Sequence, residues 1–372
     1  MRIGFDAKRA FLNASGLGNY SRNMISYLAK QYPANEYILF TPKTSDRFHF
    51  IDNKSGQTVQ PHNIFQKAFP YYWRSYRINK ELQKHRLDIY HGLSNEIPYN
   101  IHKSSVKSVV TIHDLIFLRF PELYKPIDRN IYKNKFRYAC NHADKIIAIS
   151  EQTKQDIITF FGIDEKRISV VYQGCNPIFY QKSSQEEKKS IKKKFNLPDQ
   201  FILSVGTIEE RKNTLQIIKA IHDHHIDIPL VLAGRLTPYV EKIKAYIREN
   251  KMEKQVILLH EVETDSLPAL YQMSEIFVYP SIFEGFGIPI IEALNSGIPV
   301  ITTEKGCFSE AGGPDSLYND PKNSDEIAEA ITRILTDNNL KNKMIESGYQ
   351  YTMRFREEKI AQDLMKVYEE IL

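Results

Sequence analysis

The second half of the chain contains a short segment with a carboxylate at each end, Glu284-Gly285-Phe286-Gly287-Ile288-Pro289-Ile290-Ile291-Glu292. Its two glycines let the backbone approach a ligand closely, and Pro289 suits the first turn of a helix, where free N–H groups attract phosphate. Glu292 lies eight residues after Glu284, about two helical turns further on. One carboxylate can then accept the hydroxyls of a ribose and the other those of a hexose. The segment predicts a site for a sugar nucleotide.

Two adjacent cations precede this segment in the chain. Arg211 and Lys212 follow a predicted strand and Gly206, and Asn213 is a plausible N-cap for a helix over 214–222. Negative charge grows on a nucleoside diphosphate as its bond to a sugar breaks, and charge-assisted hydrogen bonds stabilise such charge. We therefore expect these two side chains to contact the diphosphate.

The first half of the chain offers candidate residues at the ends of predicted strands. His113 follows a strand ending at Ile112, where an α/β sheet exposes side chains to its ligand. Gly16 and Gly18 form a loop that opens a helix, so their N–H groups are candidates for the diphosphate or the sugar. His91 and Asn95 lie in a loop after another strand, and we expect them in the acceptor or sugar pocket.

The ordered set of these segments resembles the family 4 retaining glycosyltransferases of the GT-B architecture. Their signature is two glutamates separated by seven residues, usually around a Gly-Phe-Gly-like core. Further segments support the resemblance along nearly the whole chain, namely Gly16-Leu17-Gly18, Thr111-Ile112-His113-Asp114, Ile149-Ser150-Glu151 and Gly206-Thr207-Ile208-Glu209-Glu210-Arg211-Lys212-Asn213. The resemblance implies an α/β fold of two Rossmann-like domains whose parallel sheets face a central cleft.

The resemblance also implies roles for individual residues. Glu284 would orient the hexose and Glu292 the ribose, while His113 would lie beside the sugar. Arg235 and Val262 stand where family members approach the base, although His260 replaces a common glycine there. The implied activity is retaining transfer of a hexose from a nucleoside diphosphate sugar, which is a co-substrate, without a cofactor or metal.

The pattern looks most like the mannosyltransferase branch of the family, which favours GDP-mannose as the donor. UDP-glucose and UDP-N-acetylglucosamine remain open, because a few side chains decide between them. The expected acceptor is a glycan or a lipid-linked glycan in polysaccharide biosynthesis. A nucleotide-sugar epimerase and a non-catalytic nucleotide-sugar-binding protein are the alternative functions.

Length and composition predict a two-domain enzyme. The chain has 372 residues, of which 42% are hydrophobic, and so exceeds the usual size of a single core. We expect an acceptor domain over 1–178, a linker over 179–197, a donor domain over 198–352 and a C-terminal helix over 353–372 that packs back on the first domain.

The three cysteines have no metal-binding spacing. His222, Asp223, His224, His225 and Asp227 look like metal ligands, but we expect them to be solvated.

Charge is unevenly distributed along the chain. Residues 1–178 have 26 Lys and Arg against 15 Asp and Glu, whereas residues 179–372 have 24 against 30. No nucleic-acid-binding motif is present, and we expect no nucleic acid as a partner. The basic half favours an anionic acceptor or peripheral contact with an anionic membrane. Phe69 to Arg77, both aromatic and cationic, is the best candidate for such contact. The first residues do not resemble a secretion signal, so we expect a cytoplasmic protein at most bound to the inner membrane face.

Alternating apolar runs and helical patterns predict a parallel sheet in each half. The predicted strands are Arg2 to Ala7, Tyr37 to Thr41, Asp88 to His91, Ser108 to His113 and Lys145 to Ile149, then Phe201 to Val205, Pro229 to Ala233, Val256 to Leu259, Ile276 to Tyr279 and Pro299 to Thr302. Ligands should bind beyond the carboxyl ends of these strands.

Overall fold

A computed structural model describes residues 1–51 and 56–372. The chain divides into two compact units, the first formed by Met1–Gly174 with Phe355–Leu372 and the second by Cys175–Arg354. Each unit contains one parallel sheet covered by helices. The last helix therefore returns to the first unit, in which it packs against the first long helix of the chain.

The first unit contains a seven-stranded sheet in the order β3-β2-β1-β4-β5-β6-β7. Its strands are β1 (Arg2–Asp6), β2 (Glu36–Phe40), β3 (Gly56–Val59), β4 (Ile89–Gly92), β5 (Lys107–Ile112), β6 (Lys145–Ala148) and β7 (Ile168–Val170). Its helices are α1 (Lys8–Leu12), α2 (Gly16–Gln31), α3 (Ile64–Ala68), α4 (Pro70–Tyr72), α5 (Ile78–Lys84), α6 (Ile116–Arg119), α7 (Pro126–His142), α8 (Glu151–Phe161) and, at the end of the chain, α17 (Glu357–Glu369).

The second unit contains a six-stranded sheet in the order β10-β9-β8-β11-β12-β13. Its strands are β8 (Ile202–Val205), β9 (Leu230–Ala233), β10 (Val256–Leu259), β11 (Ile276–Tyr279), β12 (Val300–Thr303) and β13 (Leu317–Asn319). Its helices are α9 (Gln185–Phe195), α10 (Thr214–Asp223), α11 (Val240–Glu249), α12 (Leu267–Met273), α13 (Ile288–Asn295), α14 (Phe308–Gly312), α15 (Ser324–Thr336) and α16 (Asn338–Thr352).

Burial explains why the central strands were predicted and the edge strands β3, β7 and β13 were not. Central strands such as β4 and β11 are buried along their whole length, because helices cover both faces of a parallel sheet. Sequence analysis did not predict β3, β7 and β13, which are all edge strands and only partly buried. Their sequences therefore lack the continuous apolar run of a central strand.

The predicted linker over 179–197 is a helix for much of its length. Ser184 accepts a hydrogen bond from the N–H of Glu187, whose carboxylate accepts one from the N–H of Ser184. This capping box starts α9, and α9 packs against α12 inside the second unit. Its lysine-rich surface was misread as a linker because a helix with one solvated face is also polar. The change of unit occurs instead at Gly174 and Cys175.

One local prediction about a helix is also corrected. Asn213 has a positive φ of 58° and makes no side-chain cap to α10; its amide donates to the carbonyls of Pro280 and Pro321 instead. In the first unit, a π-helical turn over Trp73–Arg77 leads into α5. Within residues 1–51 and 56–372, no helix combines the length and apolar composition needed to span a bilayer.

Candidate active site

The strand order of each sheet shows where a ligand should bind. In the second unit the order reverses between β8 and β11, and a crevice at such a reversal is the usual ligand site of an open parallel sheet. Gly206 follows β8 directly, and Tyr279 is the last residue of β11. The predicted donor residues therefore lie at the carboxyl ends of the strands that flank the reversal.

Glu284 is the centre of a polar cluster at this edge. Its Oε1 atom accepts from Lys212 Nζ at 2.5 Å and from the hydroxyls of Ser281 at 2.6 Å and Tyr279 at 3.1 Å. Arg211 Nη1 lies 2.8 Å from the same oxygen. No bond to Oε2 is found among the residues that the structure describes. Glu284 thus has one oxygen held by the protein and one that can accept from a ligand.

The charges in this cluster set the protonation of Glu284. Burial alone would raise the pKa of its carboxyl, but Lys212 and Arg211, with the hydrogen bonds of Lys212 and Ser281, lower the pKa to about 2. Burial by itself lowers the pKa of Arg211, yet Glu284 and Glu209 raise it above its ordinary value. Glu284 is therefore an anion and Arg211 a cation at neutral pH. Sequence analysis named these residues for separate roles, and the structure brings them together.

The segment after Glu284 forms the turn that starts α13. Gly287 has a φ of 135°, where a side chain would be strained, and an added Cβ would lie 3.1 Å from Ile290 Cδ1. The helix begins at Ile288 with Pro289 in its first turn, as the sequence predicted. Phe286 is buried, and its carbonyl accepts from the thiol of Cys307 at 2.7 Å. Because Gly285, Phe286 and Gly287 are not helical, Glu292 lies only about one turn into α13, not two.

Glu292 has an environment unlike that of Glu284. Its Oε2 atom accepts from the hydroxyl of Tyr271 at 3.0 Å, and no cation is found near it among the described residues. Burial raises the pKa of its carboxyl to about 7, and the bond from Tyr271 only partly opposes this shift. The group therefore titrates near neutral pH in the unliganded protein.

A pocket of about 450 Å³ lies at the ends of β9 and β10. Its lining residues are Gly234, Arg235, Leu236, His260, Glu261 and Val262. The two sequence-predicted base residues, Arg235 and Val262, therefore line one pocket. This pocket is adjacent to the cluster at Glu284 through two glycines. Gly234 packs against Gly206 so closely that a Cβ on Gly234 would lie 1.8 Å from the carbonyl oxygen of Gly206. A Cβ on Gly206 would in turn contact the side chains of Lys212 and Tyr279.

His113 in the first unit is held by neutral partners. It follows β5, and its ring Nε2 lies 2.9 Å from the carbonyl oxygen of Leu93. Its backbone N–H donates to Asn95 Oδ1 at 2.8 Å. A carbonyl can only accept, so Nε2 carries the proton and Nδ1 is left with a lone pair. Burial lowers the pKa of His113 to about 4. The ring is neutral at pH 7, and Asn95 positions its backbone.

The other predicted residues of the first unit differ in accessibility. His91 is fully buried, with Nδ1 2.7 Å from the hydroxyl of Tyr368 and Nε2 2.9 Å from that of Thr111. Burial and His113 lower its pKa to about 3. With both ring nitrogens engaged inside the unit, His91 has a structural position, which corrects its assignment to the acceptor pocket. Gly16 starts α2 with open space around it, and Gly18 packs so closely that a Cβ would lie 1.9 Å from Asn13 O.

Several residues of the site were not predicted. Tyr279, Ser281 and Tyr271 hold the two glutamates, and Tyr20 places its ring edge against His113 at 4.6 Å between centroids. Tyr279 could have been found, since it ends a predicted strand. The others depend on tertiary contacts that have no sequence pattern.

A buried ionic group in the first unit was also not predicted. Arg74 lies 3.1 Å from Asp6 and 2.5 Å from Glu96, and Lys135 lies 3.3 Å from Glu96. Asp6 ends β1, so this group belongs to the carboxyl edge of the sheet. Four charged side chains of the sheet edge and its neighbouring segments are thereby paired internally.

The histidine cluster near the end of α10 is solvated and paired with acids. His222 contacts Asp223 at 2.7 Å and His224 contacts Asp325 at 2.9 Å, all with exposed or half-exposed side chains. Outside the gap at 52–55, no group of three or more His, Cys, Asp or Glu side chains is arranged to hold a metal ion. The three cysteines are buried and form no disulfide.

Structures of known proteins share this architecture. Superposition on the structure described as Anabaena Alr3699/HepE in complex with UDP-glucose gives a TM-score of 0.77 over 100% of both chains, at 17% identity. The glycosyltransferase from Rickettsia africae ESF-5 gives 0.78, covering 100% of this chain and 98% of that one, at 18% identity. The fold is therefore GT-B, with a Rossmann-like unit in each half.

Family comparisons identify the chain more closely. The profile described as Glycosyltransferase Family 4 matches residues 14–178, and the profile described as Glycosyl transferases group 1 matches residues 185–351. The chain belongs to glycosyltransferase family 4 and is a glycosyltransferase. It is 27% identical to O-antigen chain mannosyltransferase B of Escherichia coli, over 99% of each chain. It is also 32% identical, over 68% of its own length, to the serotype-specific mannosyltransferase WbdA of Escherichia coli, of which it spans about a third.

Proposed function

We propose that the protein is a retaining mannosyltransferase that moves mannose from GDP-mannose to a glycan or lipid-linked glycan acceptor during polysaccharide biosynthesis. The observation that carries the proposal is the cluster of Glu284 with Arg211 and Lys212 at the strand reversal of the second unit. Two cations and one anionic carboxylate at the start of a glycine turn suit a sugar diphosphate and few other ligands.

Each group in the cluster has a distinct task in this proposal. Arg211 and Lys212 exchange part of their contact with Glu284 for the diphosphate, and stabilise the charge that develops as the sugar leaves. Glu284 Oε2 accepts hydroxyls of the hexose, while Oε1 stays bound to Ser281 and Tyr279. The positive dipole end at the start of α13 favours the same phosphates. The cations perform the task that a metal ion performs in other transferases, so we propose turnover without metal.

Glu292 binds the ribose in this proposal. A carboxylate accepts two hydroxyls only when ionised, and its pKa of about 7 means that donor binding releases a proton near neutral pH. The base enters the pocket lined by Arg235 and Val262. Guanine is the base we propose for that pocket. Mannose as the sugar is in keeping with the names of the Escherichia coli relatives, whereas the Anabaena neighbour was crystallised with UDP-glucose.

The first unit supplies the acceptor side of the reaction. His113, neutral and with Nδ1 free to accept, orients a hydroxyl of the sugar without adding charge, and Gly16 brings a backbone N–H group to the ligand. The N–H of Gly18 donates to the carbonyl of Ser15 at 2.9 Å instead. Retention places the incoming acceptor on the face that the phosphate leaves, so a phosphate oxygen can take the acceptor proton. We propose a cytoplasmic enzyme that works at the inner face of the membrane.

A donor panel tests this function directly. GDP-mannose, UDP-glucose and UDP-N-acetylglucosamine are each incubated with the protein, with and without a mannose-containing acceptor, in the presence of a chelator. We expect mannose transfer only with GDP-mannose and acceptor together, with the anomeric configuration kept. Product formed without acceptor would indicate an epimerase, and binding without product would indicate a sensor. Activity that requires added manganese would contradict the metal-independent site.

A further inference from the structure

The exposed apolar side chains of the first unit are concentrated in two segments. Fourteen large hydrophobic residues are exposed in the part of the chain that the structure describes, and ten of them belong to residues 64–76 and 123–132. Ile64 is 88% exposed, Ile127 is 74% exposed and Phe65 is 59% exposed. The others are Phe69, Tyr71, Tyr72, Tyr76, Leu123, Ile131 and Tyr132. Scattered exposed residues are ordinary, but a concentration of this kind marks an interaction surface.

These two segments form one continuous surface. Lys135 of α7 lies over the ring of Tyr71 at 4.7 Å, and Arg74 and Lys135 both pair with Glu96. Ile127 and Ile131 precede Lys135 at helical spacing, so they lie on the same face of α7. Tyr76 stacks on Tyr99 at 4.8 Å, and Tyr99 contacts Tyr138 of α7 at 4.4 Å. We call residues 61–80 and 123–138 the aromatic–basic surface.

The charged residues of this surface are almost all basic. Its two segments contain nine Lys and Arg residues and a single acidic residue, Asp128. Arg74 and Lys135 are paired with the buried Asp6 and the half-buried Glu96. The lysines and arginines exposed among the apolar side chains are Lys67, Arg77, Lys80, Lys125 and Arg137. Basic side chains beside exposed Phe, Tyr and Ile are the composition of protein surfaces that lie in the headgroup region of an anionic bilayer.

We propose that the aromatic–basic surface docks the enzyme on an anionic lipid membrane. Its isoleucines and Phe65 would enter the interface between headgroups and acyl chains, while the exposed cations contact lipid phosphates. A second copy of the chain is the less favoured occupant, because a symmetric contact would place two surfaces of the same net positive charge against each other. A neutral glycan is also less favoured, because Tyr76 and Tyr99 cover each other's faces at an interplanar angle of 12° and leave their edges exposed.

The proposal deepens the membrane position included in the proposed function, and vesicle flotation tests it separately from transfer. The full chain is mixed with vesicles of phosphatidylcholine alone or of phosphatidylcholine with phosphatidylglycerol. The test variant combines Ile64→Ser, Phe65→Ser, Ile127→Ser and Ile131→Ser, which are exposed and contribute nothing to the core. The matched control combines Leu12→Ser, Tyr349→Ser and Met353→Ser, which are exposed elsewhere.

We expect the wild type and the control to float with the anionic vesicles, less so as salt rises, and to leave the neutral vesicles largely unbound. The test variant should bind anionic vesicles about tenfold or more weakly, because each apolar group removed reduces partitioning. Its transfer of mannose to a soluble acceptor should match that of the wild type. A failure of transfer with vesicle binding intact would contradict the proposed function and not this surface.

Three outcomes would overturn the membrane proposal. The first is a wild type that does not bind anionic vesicles. The second is a test variant that binds them as well as the wild type does. The third is a change in molecular mass by light scattering between wild type and test variant, which would identify the surface as a contact between copies of the chain.

Discussion

The two glutamates of the second unit are placed in opposite electrostatic environments. Glu284 contacts two cations, and they hold its pKa at about 2, whereas Glu292 contacts a tyrosine hydroxyl and burial raises its pKa to about 7. The same side chain is thus a permanent anion at one end of the segment and a titrating group at the other. The difference suits their proposed ligands, since Glu284 must coexist with a diphosphate and its cations while Glu292 contacts only neutral hydroxyls.

The His113 region of the first unit contrasts with both. His113 and His91 have neutral partners, namely the Leu93 carbonyl, the Asn95 amide and the hydroxyls of Thr111 and Tyr368. Burial lowers the pKa of both rings to about 4 and about 3, so neither titrates near pH 7. The second unit therefore supplies charge, and the first supplies shape and neutral hydrogen bonds.

Removing a cation from the Glu284 cluster should have the largest effect. Lys212→Ala leaves Glu284 with one cation and the diphosphate with one fewer donor, so kcat for mannose transfer should fall about 10²–10³-fold. Lys212→Arg should restore part of this loss. The matched control is Lys193→Ala, an exposed lysine of α9, which should leave kcat unchanged. Equal kcat values for wild type and Lys212→Ala would refute the assignment of charge stabilisation to this cluster.

His113→Ala tests whether the first unit contributes more than scaffold. Loss of a preorganised neutral hydrogen-bond partner should reduce kcat/KM about 10–100-fold. The pKa of His113 is about 4, so this residue does not titrate in the neutral range. Wild type and His113→Ala should therefore show the same ionisations in their pH profiles between roughly pH 5.5 and 8, the range around the ordinary pKa of histidine. An ionisation near pH 6.5 that is lost in the variant would mean that His113 acts as a proton acceptor.

These contrasts show how far the sequence could be interpreted. Arg211, Lys212 and His113 were predicted because each follows a strand or glycine at the edge where parallel sheets bind ligands. Glu284 was predicted because it begins the glycine turn that leads into a helix. The central strands and the edge strand β10 were predicted because their apolar runs are continuous, and the edge strands β3, β7 and β13 were missed because theirs are not. The sequence could not show that His91 faces inward, since His91 in β4 and His113 after β5 are at the ends of neighbouring strands. Only the fold shows that His91 lies against Tyr368 of the last helix.

Glu292→Gln should separate binding from stability. In the wild type the carboxyl has a pKa raised from 4.5 to about 7, so its contribution to folding stability is full below pH 4.5 and is lost as pH rises through about 7. The uncharged amide of the variant does not titrate, so its contribution to folding stability is not lost as pH rises. The variant should therefore gain stability relative to the wild type between pH 5 and pH 8, by on the order of 1–3 kcal/mol. Thermal unfolding of the unliganded proteins at both pH values measures this difference.

The same variant should bind the donor more weakly, by about tenfold at pH 8, because an amide accepts fewer ribose hydroxyls than a carboxylate does. Wild-type donor affinity should rise with pH through about 7, and the variant should lack this rise. A stability difference that does not depend on pH, measured by the same unfolding experiments, would mean that Glu292 is already ionised in the free protein.

Tyr20→Phe should have the smallest effect and sharpens the contrast between charged and neutral sites. The hydroxyl of Tyr20 lies 3.0 Å from Thr111 Oγ1 in a fully buried position, while its ring alone contacts His113. Removing the hydroxyl leaves Thr111 bonded to His91 and should destabilise the first unit by about 1 kcal/mol. Because the ring that positions His113 is kept, kcat should change less than about threefold, which is below 1 kcal/mol. A loss of kcat as large as that of His113→Ala, with unchanged thermal stability, would show that the neutral hydroxyl network takes part in the reaction and does not only support it.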